Sequence, residues 1–201
     1  MTDTYLTITA PAEGQYTEKR SKFLAFAFPV GGVEEVKELV EAHQKRYYDA
    51  RHVCYAYMLG FDRATFRAND NGEPSGTAGK PILGQINSNC LTDVLIIVVR
   101  YFGGVKLGTS GLIQAYKAAA AEAIAAATVV ERTVDEQIDI AFEYALMNQV
   151  MRIVKEEGPA IVSQSFDNDC TMTLAIRASL MPRLRQRLEK TEGVVVRSEN
   201  L

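Results

Sequence analysis

The sequence predicts a mixed α/β (α+β) protein built in two parts, and three observations carry that expectation. Val94 to Val99 is a six-residue apolar run rich in β-branched side chains; it ends at a glycine corner and is followed by an alanine-dense helical stretch. The residues after Thr133 read β-α-β-β-α-β over about 65 residues, the split order of a ferredoxin-like domain. Finally, 201 residues at 47% hydrophobic and 23% charged make ordinary globular composition for one or two domains.

The first strand runs from Lys22 to Val30, where Phe at every second or third position suits a strand with one aromatic face and Pro29 with Gly31-Gly32 ends it. A surface helix follows, with Val33, Val36, Leu39, Val40 and His43 at helical spacing and an acidic first turn suited to the helix dipole. Arg51 to Gly60 alternates as a central strand: Val53, Tyr55, Tyr57 and Leu59 face one way, His52, Cys54, Ala56 and Met58 the other. Phe61 to Gly79 is turn-rich and predicts a long functional loop, and Pro81 suits the first turn of a short helix bearing Ile82, Leu83 and Ile86. Val94 to Val99 is then a strand covered on both faces, and Leu112 to about Ala127 a helix whose alanines permit close approach to a sheet.

Beyond Thr133, Gln137 to Phe142 alternates as a half-buried strand, and Leu146, Val150, Ile153 and Val154 mark a helix that stops at Gly158-Pro159. Ala160 to Val162 and Cys170 to Ile176 form a hairpin around Asp167-Asn168-Asp169. An arginine-rich helix with Leu180, Leu184 and Leu188, then a strand at Val194 to Val196, completes the set. The expected domains are therefore 1–132 and 133–201.

Charge excludes a globally basic nucleic-acid binder: the net charge is −3, residues 1–132 hold 14 cationic and 14 acidic side chains, and residues 133–201 hold 8 and 11. Any positive surface must come from placement. No apolar stretch suffices for a membrane span and the N-terminus lacks signal-peptide character, so a cytoplasmic protein is expected. Three unpaired cysteines suit a reducing compartment. With two histidines and no cysteine pair, structural zinc is excluded and no cofactor is implied; oxygen-ligand Mg²⁺ at Asp70 or Glu73 is the remaining option, but an acidic exposed turn is more often simply solvated, so no metal is expected. His52 and Cys54 share one strand face without an orienting partner, which favours a buried cysteine over a nucleophile. Gly79-Lys80 fails as a Walker loop because Pro74 and Pro81 occupy the first-glycine and magnesium-hydroxyl positions.

Gly103, Gly104, Lys106, Gly108, Thr109 and Ser110 lie between a strand and a helix, where backbone N–H groups can hold a phosphate; equally, the glycines can serve only a tight turn and close packing. Lys19, Arg20 and Lys22, and Arg100 with Lys106, form basic clusters beside Tyr16, Tyr101, Phe102 and Tyr116, a combination suited to RNA phosphates and unstacked bases. The arginine helix near the C-terminus is a third basic cluster, and the acidic face of the Val33 to His43 helix is a candidate protein-docking surface.

Four blocks, Glu18 to Phe23, Ala50 to Tyr57, Asn71 to Leu83 and Val99 to Gly108, resemble the bacterial YigZ-type members of the IMPACT family. Ser110 departs mildly from the pattern, standing where a glycine is expected. The resemblance implies an N-terminal domain like the second domain of ribosomal protein S5, followed by the ferredoxin-like domain; together they would look like the last two domains of elongation factor G. It further implies translational control, with RNA, the ribosome or a translation-control protein as partner, and it supplies no catalytic residue. The expected function is a non-enzymatic, translation-associated protein that presents Lys19, Arg20, Lys22, Lys80, Arg100 and Lys106 to RNA or an acidic partner. The N-terminal fold class also contains small-molecule kinases, for which Gly108 to Leu112 would be the phosphate loop; a phosphate-handling enzyme is the alternative.

Overall fold

The computed structural model describes residues 3–166 and 170–197, so the expected turn at Asp167-Asn168-Asp169 lies outside the described residues. The chain divides into two compact units, Tyr5–Arg132 and the segment from Thr133 onward joined by Asp3 and Thr4.

In the first unit, β1 (Thr4–Ile8) pairs with β7 (Val129–Thr133), while five strands form an antiparallel sheet: β2 (Ala12–Glu18), β3 (Ser21–Pro29), β4 (His52–Leu59), β5 (Thr65–Asn69) and β6 (Val94–Tyr101). Their order is β2-β3-β6-β4-β5, which puts β6 at the centre. The six-residue apolar run is thus explained, because a central strand covered on both faces has no solvent side. Val94, Ile96 and Val98 pack against α2 (Gly79–Ser88) and α3 (Gly108–Ala126), and Leu95, Ile97 and Val99 against α1 (Val33–Arg46). All six are fully buried, and each contributes about 1.5–3 kcal/mol of transfer free energy. Ala115, Ala119, Ala120 and Ala123 are fully buried too, so small side chains let α3 lie close against the sheet.

The sequence-based expectation of a loop over 61–79 is corrected at β5, whose five residues are exposed or half-buried along the sheet edge. An edge strand with little apolar content has no periodicity to read. The same holds for β2, with its alternating half-buried and exposed pattern. The helix α3 begins four residues earlier than its apolar stripe, drawing Gly108, Thr109 and Ser110 into its first turn.

The second unit has strand order β11-β8-β10-β9, all antiparallel, from β8 (Asp135–Phe142), β9 (Ala160–Phe166), β10 (Cys170–Arg177) and β11 (Val195–Arg197). With α4 (Met147–Glu157) and α5 (Met181–Glu189) this is the ferredoxin-like arrangement that the element order predicts. Ile138, Ile140, Met172, Leu174, Val150, Leu184 and Leu188 fill its core. Asp3 belongs here physically: its carboxylate accepts from Arg177 Nε at 2.7 Å and from the Ser179 N–H at 3.2 Å. No described helix is long and apolar enough to cross a membrane.

Candidate functional site

The site is built around the last turn of the β6 pleat. Period-2 alternation aims Arg100 toward the α2/α3 side, and the ladder sets it opposite His52 on β4 and Phe23 on β3. The loop after β5 closes over it because Asp70 organises the turn: its carboxylate accepts from the backbone N–H groups of Gly76 at 2.8 Å, Ala78 at 3.0 Å and Gly79 at 2.8 Å. Burial acts to raise the Asp70 pKa, but these three donors and Lys80 outweigh it and hold the carboxyl below its usual range. The turn drives Glu73 inward.

Glu73 Oε1 accepts from Arg100 Nη1 at 2.5 Å and from the Tyr116 hydroxyl at 2.9 Å, with only 3% of the Glu73 side chain exposed. His52 Nε2 lies 3.8 Å from the same oxygen, while Nδ1–H donates to the Asn71 carbonyl at 2.7 Å and fixes the ring. The Arg100 guanidinium sits 5.6 Å from the ring centroids of both Phe23 and Phe102, and its Nε has no hydrogen-bond partner among the described residues. Cys54 Sγ lies 3.0 Å from the Asp70 carbonyl and 3.3 Å from the Tyr116 hydroxyl. Burial foremost, with Glu73 and Asp70 adding to it, pushes the Cys54 thiol up to about 12 against the lowering effect of the Tyr116 contact. Cys54 is therefore a protonated core thiol rather than a nucleophile. Burial likewise raises the Tyr116 hydroxyl.

Above this buried network lies a cleft of about 480 Å³. Arg51 and His52 form one wall, Pro74 another, and Phe102 with Lys106 to Thr109 the third; Arg100 and Glu73 lie at its base. Pro74 of the loop after β5 and the segment from Phe102 to Thr109, some 30 residues apart in sequence, therefore line one cleft. Arg51 and Lys106 are exposed, and neither side chain has an ion pair or hydrogen bond among the described residues.

The expected site residues divide. Lys106, Gly108 and Thr109 line the cleft, and Arg100 lines it while engaged with Glu73. Gly104 turns the corner at φ +85° and Ser110 is exposed in the first turn of α3, but neither lines the cleft. Gly103 serves packing: a Cβ there would stand 2.1 Å from the Arg20 carbonyl carbon, so the corner abuts the β2–β3 turn. Lys80 is exposed at the start of α2 outside the cleft lining, and Lys19 is exposed at the β2–β3 turn. Arg20 and Lys22 line a different hollow with Tyr101, because Lys22 is one residue out of phase with Phe23 and so faces the other side of the sheet from Arg100.

Two further expectations are corrected. Tyr116 is fully buried and Tyr16 is half-buried against the core with its ring tilted on Phe23, so neither ring is presented as an RNA platform. The acidic turn expected to be exposed and solvated is not so: backbone donors hold the Asp70 carboxylate, and Glu73 is buried against Arg100. Sequence reasoning did not single out Arg51 as a ligand contact; its signal is its position one residue before β4, next to the end of β6, where Arg51 N–H donates to the Arg100 carbonyl at 3.0 Å.

Fold and site define a class: a small α/β protein whose central strand ends in a cation-flanked cleft, joined to a ferredoxin-like unit. Comparison with known proteins agrees. The model of the Impact N-terminal domain matches residues 19–124. IMPACT family member YvyE of Bacillus subtilis is 33% identical over 156 residues, 78% of this chain and 72% of that protein. IMPACT family member YigZ of Escherichia coli is 29% identical over 188 residues, 92% of each. A crystal structure of a hypothetical protein aligns over 100% of both chains with a TM-score of 0.73 at 26% identity. This chain belongs to the IMPACT family.

Proposed function

We propose that this protein is a non-enzymatic, translation-associated protein that binds RNA through the cleft beneath the glycine corner. The observation that carries this is electrostatic. Arg51 and Lys106 flank the cleft without side-chain partners among the described residues, and its one lining carboxylate, Glu73, is already neutralised by Arg100. Phe102, 50% exposed, offers a stacking face beside them, and Gly108 and Thr109, the first residues of α3, line the same space. Translation as the setting rests on the family, in which the sequence resemblance implies translational control. A non-enzymatic role is supported by the state of the candidate chemistry: Cys54 is a protonated core thiol, and Glu73 is held by two donors.

The test is RNA binding at 50 and 200 mM salt by wild type and by Arg51→Ala with Lys106→Ala. Each lost phosphate contact lowers the salt slope by about 0.7 for a single strand, which is about five-fold in affinity at 0.1 M salt and about 25-fold for both. Folding stability stays unchanged, since neither side chain has a hydrogen bond or ion pair among the described residues. Absence of binding at 50 mM, or no effect of the double change, contradicts the proposal.

A further inference from the structure

The cleft is one of three adjoining hollows around the end of β6. A second, bounded by Asp49, Arg51, His52, Asn71, Tyr101 and Phe102, shares Arg51, His52 and Phe102 with the first. A third, bounded by Thr17, Arg20, Lys22, Leu24 and Tyr101, shares Tyr101 with the second. Tyr101 is one residue out of phase with Arg100 and packs on the α1 side of the sheet, whereas Phe102, just past the end of β6, has its ring 5.6 Å from the Arg100 guanidinium on the other side. Each ring has two cations near it: Arg51 and Lys106 by Phe102, Arg20 and Lys22 by Tyr101. None of these four has a side-chain ion pair or hydrogen bond among the described residues. The carboxylates in the three hollows are both engaged, Glu73 by Arg100 and Asp49 by the Tyr101 hydroxyl at 2.9 Å.

The β2–β3 turn adds a second kind of observation. Lys19 and Arg20 stand at φ +45° and +67°, where a two-residue hairpin normally takes Asn and Gly. Two bulky cations are thus held in the left-handed region at a local cost to folding, and one of them, Arg20, lines the third hollow.

Resting on the RNA reading above, we propose that the ligand is a single strand, its bases stacked between two protein stations, that passes around the end of β6 with one ring-and-two-cation station on each side of the sheet. From β4 over β6 and β3 to β2 is three strand steps, about 14 Å at roughly 4.8 Å each, which a stacked strand rising about 3.4 Å per nucleotide covers in about four nucleotides. A duplex is the wrong shape, because its bases are paired with each other rather than free to meet the two rings, and it does not bend around a sheet end over so short a span.

Fluorescence anisotropy with oligouridylates of three and eight nucleotides and a blunt twelve-pair RNA duplex tests this in the full chain. Eight nucleotides bind more tightly than three by well over ten-fold, and the duplex binds more weakly than the eight-mer. Arg20→Ala with Lys22→Ala lowers eight-mer affinity about 25-fold at 0.1 M salt and leaves the three-mer unchanged, whereas Arg51→Ala with Lys106→Ala lowers both. Arg20→Gly relieves the turn, so it raises the melting temperature while weakening the eight-mer, a combination that damage to the fold does not produce. Length-independent binding, duplex binding equal to the eight-mer, or no effect of the Arg20 and Lys22 changes overturns the two-station path while leaving the cleft intact. An acidic twelve-residue peptide binding as tightly as the eight-mer overturns it in favour of a protein ligand. No RNA binding at any length removes the underlying reading as well.

Discussion

Arginine-rich surface occurs in two settings in this molecule, and the two are chemically opposite. On α5, Arg183 pairs with Glu157 at 3.0 Å, Arg187 with both Glu156 and Glu157, and Arg185 with Glu189 at 4.0 Å. Around the end of β6, Arg51, Lys106, Arg20 and Lys22 have no such partners among the described residues. The helix is denser in arginine yet internally neutralised, while the β6 end is sparse and open. Proximity in sequence to other cations thus says little about availability; what matters is whether carboxylates are folded against them. Arg100 shows this within the cleft itself, since it shares the space with Arg51 but is committed to a buried counter-ion.

The largest effect that would break this comparison comes from Arg100. Its replacement by Ala leaves Glu73 buried without its ion-pair partner, so stability falls by about 3–5 kcal/mol in chemical denaturation. A loss below about 1 kcal/mol would mean Arg100 resembles the open cations. For that reason Arg100→Ala is a test of folding, and Arg51 and Lys106 are the tests of binding.

Next is Asp70, whose carboxylate holds the loop that carries Glu73. Asp70→Asn presents an amide N–H to at least one backbone donor and costs about 1–3 kcal/mol. Because the folded-state pKa of Asp70 is depressed, its contribution is present above the ordinary carboxylate value of 3.8 and is lost as pH falls through the lower folded value. Stability measured against pH below about 4 therefore declines less steeply in Asp70→Asn than in wild type. An identical acid limb would exclude Asp70 as the organiser of the turn.

The smallest effect is on the helix. Arg183 is 69% exposed and Glu157 keeps its pair with Arg187, so Arg183→Ala changes stability by less than about 1 kcal/mol and leaves RNA affinity unaltered in anisotropy. A drop in affinity equal to that of Arg51→Ala would erase the distinction between the two settings.

How much of this the chain discloses by itself depends on the range of the interaction. The central strand, α1 and the ferredoxin-like order are local patterns: β6 is uniformly apolar, and α1 repeats at 3.6 residues. Polar edge strands such as β2 and β5 leave no such trace, because one side of their ladder and much of their side-chain surface meet water. Within the site, the glycine corner and the proline-bounded loop were legible as motifs, and so were Lys106, Gly108 and Thr109. The engagement of Arg100 by Glu73, 27 residues away, was not, since it depends on where β4 and β6 register and on how Asp70 folds the intervening loop. The separation of Lys22 from Arg100 follows from pleat parity once Phe23 is known to face α3.

The most direct measurement is photocross-linking of the full chain to a single-stranded RNA bearing 4-thiouridine, with adducts located by mass spectrometry. The account predicts adducts at Phe102 and Tyr101 and their flanking residues, suppressed by 200 mM salt, and none on residues 183–187. Adducts concentrated on α5, with the end of β6 unlabelled, would contradict it.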